Sequence, residues 1–254
     1  MTSEFNQVQA REKYQDFDRK IKEQMPLILA DNRYPMFATE LFEQRLQGRG
    51  ISRYLDTSDL MAQNGPKSDD QEIKFILTAN RNGLTDIGRF ALGLINTQSE
   101  YSNGAVNLAQ AKDTLGNKVT DAYDRLQGNG VIAVKRKELG ILDKLLTQDQ
   151  VLNHKGWRIL ARHPEEVPKE FAEDFEAFKE YAGKVVFSRY DKAMGIYLAN
   201  GEEVPTLRAW YVDWLDGNGR SDANGNGNLG FGSGRLVGVA PEAPVALGII
   251  KSKL

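Results

Sequence analysis

The spacing of apolar residues changes about two-thirds of the way along the chain. Before that point apolar residues recur every three or four positions, as they do on one face of a helix. From Lys184 onward they form short runs or alternate with polar residues, as they do in strands. Helical spacing is found at residues 3–25, 35–48, 105–126, 139–152 and 168–182. The pattern predicts an α+β protein, with a helical N-terminal part followed by antiparallel strands.

Short apolar runs between turn signals predict the strands. They are placed at residues 131–134, 184–190, 194–198, 205–215 and 235–240. Two earlier stretches fit more than one structure. Residues 72–78 alternate and fit either a short strand or the start of a helix, and residues 85–96 fit either a buried helix or an irregular segment.

One stretch, Pro205–Pro241, stands out because a long loop rich in Asn, Asp and Gly separates two apolar runs. Trp210 and Trp214 stand at the entrance of this loop. Rigid aromatic faces beside short polar side chains and glycine are typical of adaptable contact surfaces. The predicted contact residues are Trp210, Tyr211, Asp213, Trp214, Asp216, Asn218, Ser221, Asp222, Asn224, Asn226, Asn228 and Phe231.

Composition narrows the functional classes. Hydrophobic residues at 41% and charged residues at 27% are ordinary for a globular protein of 254 residues. A net charge of -2 gives no strong field for nucleic acid, and the absence of cysteine excludes disulfides and thiol nucleophiles. No apolar run is long enough to span a membrane, and the charged N-terminus shows no signal peptide. We therefore expect a soluble, cytoplasmic or virion-associated chain.

Two motifs in the loop could bind a cofactor or a metal. Residues 225–230 match a dinucleotide-binding glycine pattern, but a strand and not a helix is predicted to follow, so we expect no nucleotide. Asp222, Asn224 and Asn226 match the first ligands of a calcium-binding EF-hand loop, whereas Ser233 stands where a bidentate Glu is required. We expect no cofactor and no catalysis, with calcium as a remaining possibility.

The final third of the chain is similar to a known family. Its Arg-Ser-Asp-Ala-Asn segment at 220–224 and its Gly-Arg-Leu-Val segment at 234–237 resemble C-type lectin-like domains of the formylglycine-generating-enzyme type. The Phe that the family commonly carries between Gly and Arg is missing. The family's enzymes depend on cysteine, so no catalytic residue carries over. The resemblance assigns residues 129–254 to a C-type lectin-like ligand-binding domain and leaves 1–128 as a mostly helical N-terminal region.

Variable proteins of diversity-generating retroelements use the same fold and carry their mutable positions near the C-terminus. The mixture of residues in Trp210–Phe231 is similar to theirs. This resemblance implies a viral, phage or microbial protein that binds a partner protein or surface ligand through a variable face. Two alternatives stay open. One is a calcium-dependent carbohydrate binder, and the other is a virion or assembly component that forms a homo-oligomer through its N-terminal helices.

Overall fold

The computed structural model describes residues 14–18, 21–49, 55–98, 101, 103–230 and 235–242. Its strands are β1 (Tyr14–Asp18), β2 (Tyr34–Pro35), β3 (Leu55–Gln63), β4 (Glu72–Ile76), β5 (Ala79–Asn80), β6 (Gly83–Leu84), β7 (Val106–Asn107), β8 (Val131–Lys135), β9 (Ile196–Leu198), β10 (Thr206–Val212), β11 (Ala223–Gly225) and β12 (Arg235–Val239). Its α-helices are α1 (Ile21–Ala30), α2 (Ala38–Leu46), α3 (Asp86–Asn96), α4 (Ala122–Arg125), α5 (Gln148–Asn153), α6 (Lys155–Leu160) and α7 (Phe175–Glu180). The predicted α+β class is confirmed.

Strand β10 lies inside the largest sheet, whose order is β8-β4-β3-β10-β11-β9. It pairs antiparallel with β3 on one side and with β11 on the other, and β7 also pairs with its first residues. Strand β9 joins the end of the sheet parallel to β11. Strands β1, β12 and β2 form a second sheet, and β5 pairs with β6. The strand that opens the predicted contact stretch is thus held within a broad sheet.

Both faces of the large sheet are covered by apolar side chains. Along β10, Leu207 and Ala209 belong to one buried cluster, and Trp210 and Val212 belong to the other. This division follows from the alternation of side chains across a strand. Because β10 is fixed on both faces and both edges, it can support a long loop at its end.

Strands from both ends of the chain pair with one another. Tyr14–Asp18 pairs antiparallel with β12, and β3 pairs with β10. The helix predicted over residues 3–25 is therefore wrong over Tyr14–Asp18, which forms a strand, and is confirmed over residues 21–25, where α1 begins at Ile21. The ladder to β12 supplies hydrogen-bond partners along one edge of β1, and such tertiary pairing overrides a weak helical pattern. Residues 3–13 lie outside the described part of the chain.

The helix predicted over residues 105–126 is also wrong. Strand β7 pairs with β10, and a tight turn follows in which Lys112 bridges Lys118. The Asp113 side chain accepts hydrogen bonds from the backbone of Leu115 and Asn117 and so stabilises this turn. Only the short α4 is helical. The apolar residues that suggested a helix reach the core from extended backbone and turns.

The long helix predicted over residues 168–182 is divided, and the strand predicted over 184–190 is wrong. A 3-10 turn at Lys169–Phe171 precedes α7, and Asp174 caps α7 by accepting from the backbone of Glu176. The chain then continues as a π-helical segment, Tyr181–Val186. Its buried residues pack against α2, which explains why a pair of β-branched valines does not form a strand.

Other predicted elements are found close to their expected places. Helix α2, strand β8 and strands β9, β10 and β12 lie within their predicted ranges, give or take a residue. The two stretches whose pattern fitted more than one structure, residues 72–78 and 85–96, form β4 and α3 respectively. Over residues 139–152 the α-helix begins only at Gln148, because Thr147 caps it there.

Helix α2 is largely buried inside the chain, so homo-oligomer formation through the N-terminal helices stays a prediction. None of the helices in the described part of the chain has the length and apolarity needed to cross a bilayer.

Candidate functional site

The predicted contact stretch folds as a hairpin made by β10 and β11. Tyr211 lies opposite Asn224, and Val212 lies opposite Ala223. The backbone N–H of Asp213 then donates to the carbonyl of Asp222 at 2.8 Å, which closes the base of the connecting loop. We call residues 213, 221 and 222 the neck of this loop and residues 214–220 its tip.

A buried arginine holds both sides of the neck. Arg45 of α2 is 1% exposed, and its Nη2 donates to the carbonyl of Asp213 at 2.8 Å. Its Nη1 donates to Ser221 Oγ at 2.6 Å and to the hydroxyl of Tyr181 at 3.0 Å. The hydroxyls of Tyr181 and Ser221 also form a hydrogen bond with each other. One planar guanidinium therefore fixes the two ends of the loop relative to α2 and the π-helical segment.

Asp222 of the neck and Arg220, the last residue of the tip, both accept hydrogen bonds from the segment that precedes β9. The backbone N–H of Gly195 donates to Asp222 Oδ1 at 2.6 Å, and Met194 donates to the carbonyl of Arg220 at 3.0 Å. Burial raises the pKa of Asp222 to about 7, the bond from Gly195 opposes this shift, and the nearby charge of Asp213 adds to it. The neck thus contains a carboxyl group that titrates near neutral pH.

At the tip the backbone is fixed while several side chains face solvent. The carbonyl of Trp214 accepts from Ser221 N–H at 2.8 Å, and the hydroxyl of Tyr190 donates to the carbonyl of Leu215 at 3.1 Å. The Trp214 side chain is 50% exposed, and Asp216 and Asn218 are exposed. The tip therefore presents an indole, a carboxylate and a carboxamide from an ordered loop.

The segment after β11 likewise combines exposed side chains with a backbone that is held in place. Asn226 and Asn228 are exposed, whereas Gly227 and Leu229 between and beside them are buried. Arg208 donates to the carbonyl of Gly227 at 3.2 Å. A Cβ at position 227 would lie 2.8 Å from the carbonyl oxygen of Ala209, so only glycine fits this close approach. The strand β11, about 10 Å long by its residue count, separates these asparagines from the tip.

Four predicted contact residues are buried, and their assignment to the exposed face is corrected. They are Trp210, Ser221, Asp222 and Asn224. Trp210 stacks on Phe75 with ring centroids 5.2 Å apart, so it belongs to the core beneath the loop. Tyr211 and Asp213 are partly exposed, and Phe231 lies outside the described residues. The exposed members are Trp214, Asp216, Asn218, Asn226 and Asn228, which we call the contact face.

The partial EF-hand match does not correspond to an EF-hand loop. Ala223–Gly225 is an extended strand, whereas an EF-hand loop wraps its ligands around one ion. Asp222 Oδ1 already accepts from Gly195. The described residues contain no group of three or more His, Asp and Glu side chains arranged to hold a metal.

Comparison with known proteins identifies the fold. No protein-family model matches the chain, and no curated protein sequence matches it. A solved structure, described as accommodation of massive sequence variation in Nanoarchaeota by the C-type lectin fold, is similar over 91% of this chain and 100% of the other, with a TM-score of 0.57 and 17% identity. The chain adopts a C-type lectin fold. The match spans far more of the chain than the C-terminal domain from which the resemblance was inferred.

Within this C-type lectin fold, the residues that support the contact face come from distant parts of the sequence. Arg45 and Tyr181 anchor the neck, and Tyr190 and Arg189 contact the tip. Sequence reasoning missed all four. No local pattern marks them, because Arg45 is an ordinary polar position of a predicted helix and its partners are far along the chain.

Proposed function

We propose that the chain is a non-catalytic binding protein that recognises a partner protein or surface ligand through the contact face. The observation that carries this proposal is the contrast between a half-exposed Trp214 and a neck clamped by the buried Arg45. An exposed indole on a fixed loop offers a large contact area with little entropy to lose on binding.

The chemistry of the contact face supports recognition of a protein. Trp214 supplies a rigid aromatic surface, and Asn218, Asn226 and Asn228 supply hydrogen-bond donors and acceptors. This combination of a few aromatic anchors with adaptable amides is found in protein-binding paratopes. The fixed backbone beneath it means that binding does not have to order the loop first.

We further propose that the contact face varies among copies of the gene, as in the variable proteins of diversity-generating retroelements. Support comes from the alternation of exposed contact positions with buried anchors, and from a fold neighbour described as accommodating massive sequence variation. Substitutions at exposed positions usually change stability little, whereas substitutions at buried anchors cost more.

Sequencing natural copies of the gene and the neighbouring DNA tests the variability. We expect the differences to concentrate at the codons for the contact face, and we expect a nearby reverse transcriptase gene with a near-copy of this region. Differences spread evenly over the chain, with no such gene nearby, would contradict the retroelement proposal while leaving the binding proposal to its own experiment.

Affinity capture with matched variants tests the binding itself. We expect a protein captured by the wild type to bind the W214A variant at least about 30-fold more weakly, as for an aromatic hot spot. The control is L115A, which alters an 83% exposed side chain on another turn and should bind like the wild type. A captured protein that binds both variants equally well does not use the contact face.

A further inference from the structure

A cleft of about 580 Å³ opens beside the start of α3, away from the contact face. It lies between β5, the first turns of α3, the segment after α4 and the 3-10 turn at Lys169–Phe171. Its volume falls within the range of small-molecule sites, roughly 300–1,000 Å³. None of the contact-face residues lines it.

The floor of the cleft is apolar. Ile87 and Phe90 are partly exposed, and Phe171, at the end of the 3-10 turn, is 1% exposed. Gly130 allows the Phe171 ring to lie where it does, because a Cβ at position 130 would come within 2.7 Å of the ring. The floor therefore offers an apolar surface held in a fixed position.

The guanidinium of Arg125 forms one wall of the cleft. The Cζ atom of Arg125 lies 4.6 Å from the centroid of the Phe90 ring. Among the residues that the structure describes, no carboxylate lies within ion-pair distance of Arg125. A guanidinium held over an aromatic ring loses little further freedom when its N–H groups donate to a carboxylate.

Carboxylates line another side of the same cleft. Asp86, the first residue of α3, has no ion-pair partner in the described part of the chain. The Glu170 carboxylate accepts a hydrogen bond from the Asn129 amide, which lowers the pKa of Glu170 and keeps it ionised. One cationic and two anionic groups thus surround an apolar floor.

This arrangement selects against several kinds of small molecule. An anion bound at Arg125 would be repelled by Asp86 and Glu170, and a simple cation bound at the two carboxylates would leave Arg125 without a partner. A purely apolar molecule would desolvate charged groups without pairing them. A molecule that carries a carboxylate, an ammonium group and an apolar side chain satisfies all three surfaces at once.

We propose that this cleft binds a free amino acid with an apolar side chain. Its carboxylate pairs with Arg125, its ammonium group pairs with Asp86 and Glu170, and its side chain lies over Ile87 and Phe90. The binding site is independent of the contact face, so it adds a small-molecule site to the proposed recognition of a partner.

Calorimetric titration of the full chain with leucine and with phenylalanine tests the proposal. We expect saturable binding, and we expect N-acetyl-leucine, which lacks the ammonium group, and leucine amide, which lacks the carboxylate, to bind at least about tenfold more weakly. Absence of binding by either amino acid, or equal binding of the blocked compounds, would overturn the proposal.

Variants locate the site. R125Q should weaken binding at least about tenfold, whereas R89Q, the same change at an exposed arginine of α3 that does not line the cleft, should leave it unchanged. Arg125 is exposed, so the variant should unfold at the temperature of the wild type and any loss of affinity reflects the site. Wild-type affinity in R125Q would refute the assignment of the carboxylate partner.

Discussion

The neck and the tip of the β10–β11 loop are neighbours in sequence but are held in different ways. At the neck, Ser221 and Asp222 are buried and their side chains bond to Arg45 and to the backbone of Gly195. At the tip, hydrogen bonds hold the backbone, while Trp214 and Asn218 reach into solvent. The difference shows that, within one loop, the neck residues can stabilise the fold while the tip residues remain available to contact a partner.

The largest effect should come from the tryptophan beneath the loop. Replacing Trp210 with Ala removes a ring that stacks on Phe75 in the core, and we expect the free energy of unfolding to fall by about 3–5 kcal/mol. Urea unfolding followed by circular dichroism measures this loss. A loss below about 1 kcal/mol would mean that Trp210 is not a core residue.

Replacing Arg45, which holds both sides of the neck, should lower the free energy of unfolding nearly as much. In R45M the carbonyl of Asp213 and the hydroxyls of Tyr181 and Ser221 lose their buried donor, and we expect a loss of about 2–4 kcal/mol. The control is R189M, which removes an exposed ion pair with Asp216 and should cost no more than about 0.5 kcal/mol. Equal effects of the two changes would remove the distinction between neck and tip.

The buried carboxyl of the neck should make stability depend on pH. Burial raises the pKa of Asp222 to about 7 in the folded chain, whereas the unfolded value is about 3.9. The folded state therefore holds this proton more tightly, so the contribution is complete below about pH 4 and is lost as the pH rises through about 7. Burial also raises the pKa of Glu40 to about 7, so this residue contributes to the pH dependence of stability with the same sign.

Unfolding free energies measured from pH 4 to pH 8 should fall, and D222N should remove part of that fall, on the order of 1 kcal/mol. Asparagine keeps an acceptor for the Gly195 N–H but cannot ionise. The matched control is D216N at the exposed tip, which should keep the wild-type profile. A D222N profile identical to that of the wild type would mean that a group other than Asp222 causes the pH dependence.

The smallest effects are expected on the contact face. W214A and N226A change exposed side chains, and we expect each to alter the free energy of unfolding by no more than about 0.5 kcal/mol. The comparison of W214A with W210A is the sharper one, because the residue type is the same and only the burial differs. Losses of several kcal/mol in both variants would mean that the tip belongs to the core.

Local signals in the sequence were sufficient to predict several elements. Strands β10 and β12 are short apolar runs bounded by turn residues, and such boundaries are read from neighbouring residues alone. The alternation along β10 also implies that Trp210 and Tyr211 face opposite sides of the sheet. What it could not show is which side is covered, because that depends on Phe75 of β4.

The support of the contact face could not be predicted from sequence. Arg45 lies 168 positions from Asp213 and 176 from Ser221, and no local spacing connects them. The wrong assignments have a similar cause. Within residues 105–126, Val106–Asn107 pairs with β10 and only Ala122–Arg125 is α-helical. Residues 181–186 pack on α2 as a π-helical segment, so long-range packing decided both structures.

The most direct test of the account is saturation mutagenesis of Trp214, Asp216 and Asn218 at the tip and of Asp213, Ser221 and Asp222 at the neck, with thermal unfolding measured for each variant. The account predicts that most tip variants unfold at the wild-type temperature and that most Ser221 and Asp222 variants unfold at a lower one. Tip variants as unstable as neck variants would show that the loop cannot accommodate variation on a fixed frame, and would contradict the account.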